Sequence, residues 1–342
     1  MNNRAQPAQA GPRNGAGDAR KVFDKKHLEP QELLLKLRKQ GMVVNDATAL
    51  PYLQQVGGYR MKGYWYHLQD SETKQFRADA NFDDVIARYE FDRKLRRVTG
   101  DALERIELMV RSTITNVMSK HGGPHWFMNE DFFSKPRNSG DGGSRPRSFI
   151  DRISEEVHRS KQKPFISHYQ TRYATPELPP SWVISECLSF GSWSHAYPTI
   201  ANVGYKKEIS RRFRVEDPKV FESWLHAFSV LRNTVAHHGR LLGIQLGVAP
   251  RQYVKRGVKF EQGKARTFFA TAAVINYVCQ SIKRGPRLRM DLKALFAENP
   301  GIPLEHALGF SPGWEDLPLW TPEMSPTTRK STASAQRVVA GK

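Results

Sequence analysis

From about residue 82 to residue 120 the chain carries apolar side chains every three or four positions, and this period constrains the fold most. Leu103, Ile106, Val110, Ile114 and Val117 fall on one stripe of an α-helix. The spacing predicts a long helical region, broken near Gly100. Glu29-Pro30-Gln31 opens a shorter amphipathic helix bearing Leu33, Leu34 and Leu37, which Gly41 ends. Further helices are expected over 48–56, 152–158, 181–190, 218–237 and 267–282. Alternating Val and Ile, the period of strands, is scarce. The expected fold class is therefore all-α, with disordered termini. The stretch 58–66 mixes Tyr59, Arg60, Met61, Lys62, Tyr64, Trp65 and Tyr66. It reads as irregular or short extended chain whose aromatics form a core seam.

With 342 residues, 39% of them hydrophobic, the chain has apolar material for one large domain or two intimate halves. Residues 22–320 are the expected helical domain, with a basic C-terminal extension over about 243–320. Residues 1–21 and 321–342 are low in large apolar side chains and are expected to be disordered tails. The segment 134–148 (SKPRNSGDGGSRPRS) reads as a flexible surface loop.

The net charge of +19 attracts polyanions: nucleic acid, or less often an anionic membrane surface. Residues 1–21 hold only Arg4, Arg13, Arg20 and Lys21 against Asp18, so most of the excess sits on the body. Cys187 and Cys279, far apart in apolar surroundings, suit neither a disulfide framework nor a zinc cage. A reducing, cytoplasmic setting is the natural reading. No segment approaches the ~20 apolar residues of a membrane span. The N-terminus lacks the apolar centre of a signal peptide.

The chemistry concentrates in Arg232-Asn233-Thr234-Val235-Ala236-His237, with His238 next. Trp224, Phe228 and Leu231 put an apolar stripe on the helix leading into this run, so it sits at or near the helix end. Asn233 and His237, four apart, share a face. Arg232 lies about 100° away, but its long side chain reaches the same cleft. The cluster thus offers an imidazole, an amide to orient it and a guanidinium. RNA carries its own nucleophile, the 2′-OH. Cleaving it takes a base, an acid and positive charge on the phosphorane. An imidazole titrates near neutrality and suits the proton transfers. A guanidinium binds two phosphate oxygens and cannot deprotonate. No metal or other cofactor is required, and His237-His238 lacks the glutamate of a His-Glu-x-x-His site. The bland reading of the same residues is an Arg paired with a carboxylate and a His favoured at a helix C-terminus by the dipole.

Three further sets of residues bear on this site. Glu104, Glu107 and Arg111 lie on nearby turns of one helix. They form either an i,i+4 pair or a face on which one carboxylate orients Arg232. Between 251 and 293 stand eleven basic residues, opposed in that window only by Glu261 and Asp291. His238, Arg240, Arg251, Lys255, Arg256 and Lys259 are the candidate RNA contacts. Tyr253 and Phe260 are candidate stacking residues, whereas Phe268 and Phe269 are expected in the core.

The run Leu231-Arg232-Asn233-Thr234-Val235-Ala236-His237-His238-Gly239-Arg240-Leu241 is more specific than an isolated Arg-x4-His. With it come Arg38-Lys39-Gln40-Gly41, the aromatic block 59–66, and Glu104-Arg105-Ile106-Glu107-Leu108-Met109-Val110-Arg111. Then follow 163–169 (KPFISHY), Leu178-Pro179-Pro180-Ser181-Trp182 and 186–191 (ECLSFG). In this order the segments, spanning roughly 30–242, resemble the abortive-infection Abi proteins of the AbiD/AbiF type, within the HEPN superfamily of α-helical ribonucleases. In that family an Arg-Asn-x3-His motif followed by a second His closes a helix. The resemblance implies a HEPN-like bundle and a homodimer that brings two motifs to one cleft. It implies catalytic roles for Arg232 and His237, with Asn233 orienting the His. It also implies a toxin-like RNase of phage defence under control of a partner or an RNA. After Leu242 the chain departs from the family pattern. The alternative function is a non-catalytic RNA-binding protein on the same fold, gripping a structured small RNA. A DNA-binding regulator trails, because no convincing helix-turn-helix is present.

Overall fold

A computed structural model describes residues 23–134, 148–261, 263–283, 285, 287–318 and 320. The expected tails, the interior of the expected loop 134–148 and Arg284 lie outside the described residues. Among the described residues the regular structure is helical, with isolated bridges in place of strands, so the fold is all-α. The chain divides into two compact units, residues 1–83 and 84–342.

In the first unit, α1 (Pro30–Lys39) starts with a reciprocal cap between Glu29 and Glu32 and with Pro30 in its first turn. Asn45 caps α2 (Asp46–Tyr52) by accepting from the Ala47 N–H. The stretch 58–66, expected to be irregular, is instead α3 (Gly58–Trp65). Met61, Tyr64 and Trp65 stand at helical spacing and are buried, while Tyr59 is 94% exposed. The aromatics are therefore split between core and surface. Interleaved Arg60, Lys62 and Tyr59 mask the period in the sequence.

The second unit is organised on α4 (Phe82–Gly122), which starts two residues before it. Leu95, Leu103, Ile106, Val110 and Ile114 are fully buried along one stripe. The helix continues through Gly100 without the expected break. A Cβ there would lie 3.4 Å from Val235 Cγ1 of α10 (Pro218–Ala236), an ordinary contact, so the packing at this point does not demand glycine.

After α5 (Phe149–Arg159) and α6 (Pro164–Arg172), the expected helix 181–190 is two helices: α7 (Ser181–Ile184) and α8 (Phe190–Thr199). Ser189 separates them because its side chain accepts from the Ser192 N–H and starts α8 afresh. α9 (Val203–Arg211) follows. α10 packs against α8, α9 and α11 (Phe268–Cys279). Phe221 sits edge-on to Tyr197 at 5.1 Å and stacks on Phe213 at 4.6 Å. Every residue of α11 is buried, so the extension after 243 supplies core as well as charge. α12 (Leu288–Ala297) and α13 (Leu304–Leu308) add an aromatic cluster of Phe296, Phe310, Trp314 and Trp320.

Candidate active site

Helix α10 ends where the motif lies. Leu231 is buried, Arg232 is part-buried, and Asn233, His237 and His238 are exposed. The end is a Schellman turn. The His238 N–H donates to the Val235 carbonyl at 3.0 Å, and the Gly239 N–H to the Thr234 carbonyl at 2.7 Å. His237 occupies the C-cap, with its N–H on the Asn233 carbonyl at 3.0 Å. His238 takes the left-handed position, φ +57°, that glycine usually fills. Such a backbone costs a non-glycine residue about 1 kcal/mol or more. The glycine stands one place later because space demands it there. A Cβ on Gly239 would meet Thr234 Cγ2 at 2.7 Å and the Thr234 carbonyl oxygen at 3.0 Å. Gly239→Val should therefore destabilise the turn by about 1–3 kcal/mol. A thermal midpoint equal to that of the wild type would contradict this.

The carboxylate of Glu107, 5% exposed on α4, organises the site. Oε1 pairs with Arg111 one turn along the same helix, and Oε2 accepts from Arg232 Nε at 2.9 Å. Both sequence readings of this carboxylate hold together: the i,i+4 pair forms, and the second oxygen holds the motif's guanidinium. Arg111 reaches on, its Nη1 donating to the Ser185 carbonyl at 3.4 Å. The Arg232 side chain is 36% exposed and, among the described residues, makes no hydrogen bond through Nη1 or Nη2. Its Nη edge is thus open to solvent. Among the described residues no hydrogen bond or ion pair engages the His237 imidazole. Glu104 is exposed on α4, and among the described residues no hydrogen bond or ion pair joins it to the motif.

A second acid on α4 moors the chain just past the motif. Asp92 Oδ1 accepts from the N–H groups of Leu241 (3.0 Å) and Leu242 (2.8 Å), while Oδ2 pairs with Arg96. Asp92 is fully buried and Arg96 nearly so. Sequence reasoning missed this pair. The available signal was an Asp and an Arg four apart, each next to an apolar residue (Phe91 and Leu95) of the buried stripe, but the charged neighbours Glu90, Arg93, Lys94 and Arg97 hide it.

Of the candidate RNA contacts, His238 and Arg240 adjoin the motif, and Arg251, Lys255, Arg256 and Lys259 are exposed in the segment after it. Trp224 Nε1 ties that segment to α10 by donating to the Arg251 carbonyl at 2.7 Å. Part of its charge is locally answered. Arg256 meets Glu216 at 3.2 Å, Lys264 meets Glu261 and Glu305, and Lys293 meets Glu315. Tyr253 and Phe260 do not offer faces to bases. Both are buried, and the Tyr253 hydroxyl accepts from the Glu216 N–H while its ring packs on Trp224. Phe268 and Phe269 are core residues, as expected. Among the described residues no cluster of His, Cys, Asp and Glu is placed to hold a metal ion. No helix among them is long and apolar enough to cross a membrane.

The fold and this helix end define an all-α protein with an Arg–His pair presented to solvent. A family model described as Abi-like protein matches residues 51–243, and the chain belongs to that family. The match ends where the departure from the family pattern begins in the sequence. No curated protein and no solved structure matches the chain.

Proposed function

We propose that this chain is a metal-independent endoribonuclease of the abortive-infection type, a HEPN-class enzyme close to AbiD/AbiF proteins that works as a cytoplasmic homodimer. One observation carries the reading. A buried carboxylate holds Arg232 by Nε, with the rest of the guanidinium free, five residues before a solvent-exposed His237 on the same helix end. The His237 imidazole takes the proton from a ribose 2′-OH. The 2′-oxygen attacks phosphorus and the bond to the 5′-oxygen breaks. The leaving oxygen takes a proton from the second protomer's equivalent imidazole. Arg232 neutralises the charge that develops on the phosphorane. Asn233, exposed one turn before His237 and, among the described residues, making no hydrogen bond to its ring, is left the role of orienting it when substrate is bound. His238, Arg240 and the exposed Arg251, Lys255, Arg256 and Lys259 bind the flanking backbone. A regulatory RNA or protein partner fits the toxin-like role.

Purified protein with labelled RNA in excess EDTA should produce fragments ending in a 2′,3′-cyclic phosphate. Strand binding without cleavage at any pH between 5 and 9 would leave the chain an RNA-binding protein on the same fold. Glu107→Gln tests the support of the site. It keeps an acceptor but loses the charge shared by Arg111 and Arg232, and mispositioning of that order costs about 10²-fold in rate. We expect such a loss of kcat/KM with an unchanged far-UV circular dichroism spectrum. A fully active Glu107→Gln would show that Arg232 needs no such anchor.

A further inference from the structure

Of the seven Trp residues, six are at most 5% exposed, whereas Trp182 is 52% exposed. Its backbone is firmly held. At the start of α7 the Ser181 N–H donates to the Pro124 carbonyl at 2.9 Å, and the Ser181 and Ser119 hydroxyls share a hydrogen bond of 2.8 Å. Ser181 and Ile184 are buried on either side of the indole. At the far end the Ser185 hydroxyl donates to the Trp182 carbonyl at 2.9 Å, and the Ser185 carbonyl accepts from Arg111. α7 is thus strapped along α4 between Ser119 and Arg111. One turn beyond Arg111 is Glu107, which holds Arg232. With a rise of 1.5 Å per residue, the strap covers about 12 Å of α4 and the motif's anchor follows about 6 Å further on. An exposed indole on a firmly held backbone therefore stands within a few nucleotides' reach of the guanidinium that would bind the scissile phosphate. Glu107, Arg111 and Arg232 together leave a net positive charge along that path.

We propose that Trp182 stacks an unpaired base of the RNA strand that runs into the Arg232–His237 site. The inference rests on the nuclease reading and narrows its substrate to single-stranded RNA. An indole on a backbone held at both ends offers a flat apolar face with little backbone freedom to lose on binding, and any base can use it. In a duplex the bases already stack on one another and cannot lie on a side chain. Arg111 and Arg232 supply attraction for the phosphates on either side. The site should therefore favour loops and unpaired stretches over helical RNA.

The burial of the other six Trp makes the test selective, because red-shifted emission open to acrylamide belongs to Trp182. The probe is a short oligoadenylate added to the full-length His237→Ala protein, so that binding is read without cleavage. It should quench that emission and shield it from acrylamide, and a blunt RNA duplex should do neither at equal concentration. Trp182→Ala should weaken oligoadenylate binding by about 5- to 100-fold, while Trp182→Phe should retain most of the affinity. Equal binding by Trp182→Ala, no quenching on binding, or no binding of the strand at all overturns the proposal. So does a smaller size of Trp182→Ala on gel filtration, which would place the indole between two copies of the chain. Quenching with no cleavage by the wild type would remove the nuclease reading and leave base stacking standing. Cleavage with a silent Trp182 would do the reverse.

Discussion

His237→Ala is expected to lower the rate of RNA cleavage by about 10²–10⁴-fold, the usual contribution of a positioned proton carrier, while α10 stays folded. The second half follows from the surroundings of this residue. Its imidazole is exposed and engages no other described group, and the Schellman turn runs through backbone atoms that alanine also carries. The helix loses only a cationic group at its C-terminus when the ring is protonated, an effect of about 0.3–1 kcal/mol. Arg232→Ala is a less clean probe. It removes the charge facing the phosphorane, but it also leaves Glu107, almost buried, with Arg111 alone. An unpartnered buried acceptor costs about 1–3 kcal/mol, so Arg232→Ala should lose stability as well as activity. Arg232→Lys keeps the charge and is the better control, although it loses the fork that binds two oxygens at once. Cleavage and denaturation should be measured together for all three variants. If folded His237→Ala cuts RNA within a few-fold of the wild-type rate, the imidazole is not the proton carrier. Mixed dimers of wild type and His237→Ala extend the result. If base and acid come from different protomers, the mixed species should be nearly as slow as the double variant.

The sequence disclosed this site unevenly, and for physical reasons. Where one helix face is apolar and the other polar, as around α5 and α10, the period marks the element and nearly its ends; α11, buried all round, shows instead as an unbroken apolar run. The motif was legible because its spacing and its place at a helix end are local. Glu107 was legible as one of three residues at helical spacing. That its two oxygens divide between Arg111 and Arg232 depends on a contact 125 positions apart, which no local pattern carries. The same distance in sequence explains the excess of charge read into 251–293. Glu216, Glu305 and Glu315 answer Arg256, Lys264 and Lys293 from outside that window. Tyr253 and Phe260 looked available because their basic neighbours are exposed, but alternate residues there turn inward. Gly100 read as a break because glycine weakens a helix on its own. The buried apolar stripe on both sides of it carries the helix through, and that burial belongs to the tertiary structure.

Asp92→Ala is expected to cost about 3–5 kcal/mol, the range for breaking a buried ion pair by removing one partner. Three groups lose a bond to this carboxylate at once: the Arg96 guanidinium and the N–H groups of Leu241 and Leu242. Leu241 and Leu242 are themselves buried, so water does not readily replace the carboxylate. Asp92→Asn should fall between, because its carbonyl oxygen can still take the two amides while Arg96 loses its counter-charge. Six of the seven Trp lie in residues 84–342, so their fluorescence in a urea titration follows the unit that contains this pair. A midpoint for Asp92→Ala equivalent to less than about 1 kcal/mol of destabilisation would mean that the segment after the motif is held by other contacts. Activity measured well below that midpoint separates two roles. Asp92 binds the chain three residues past His238, and Glu107 binds Arg232 at the other end of the motif. α4 therefore fixes the span 232–241 from both sides. Folded Asp92→Ala should cut RNA more slowly than wild type even where it is fully native, since His237 would then sit on a turn tethered at one end.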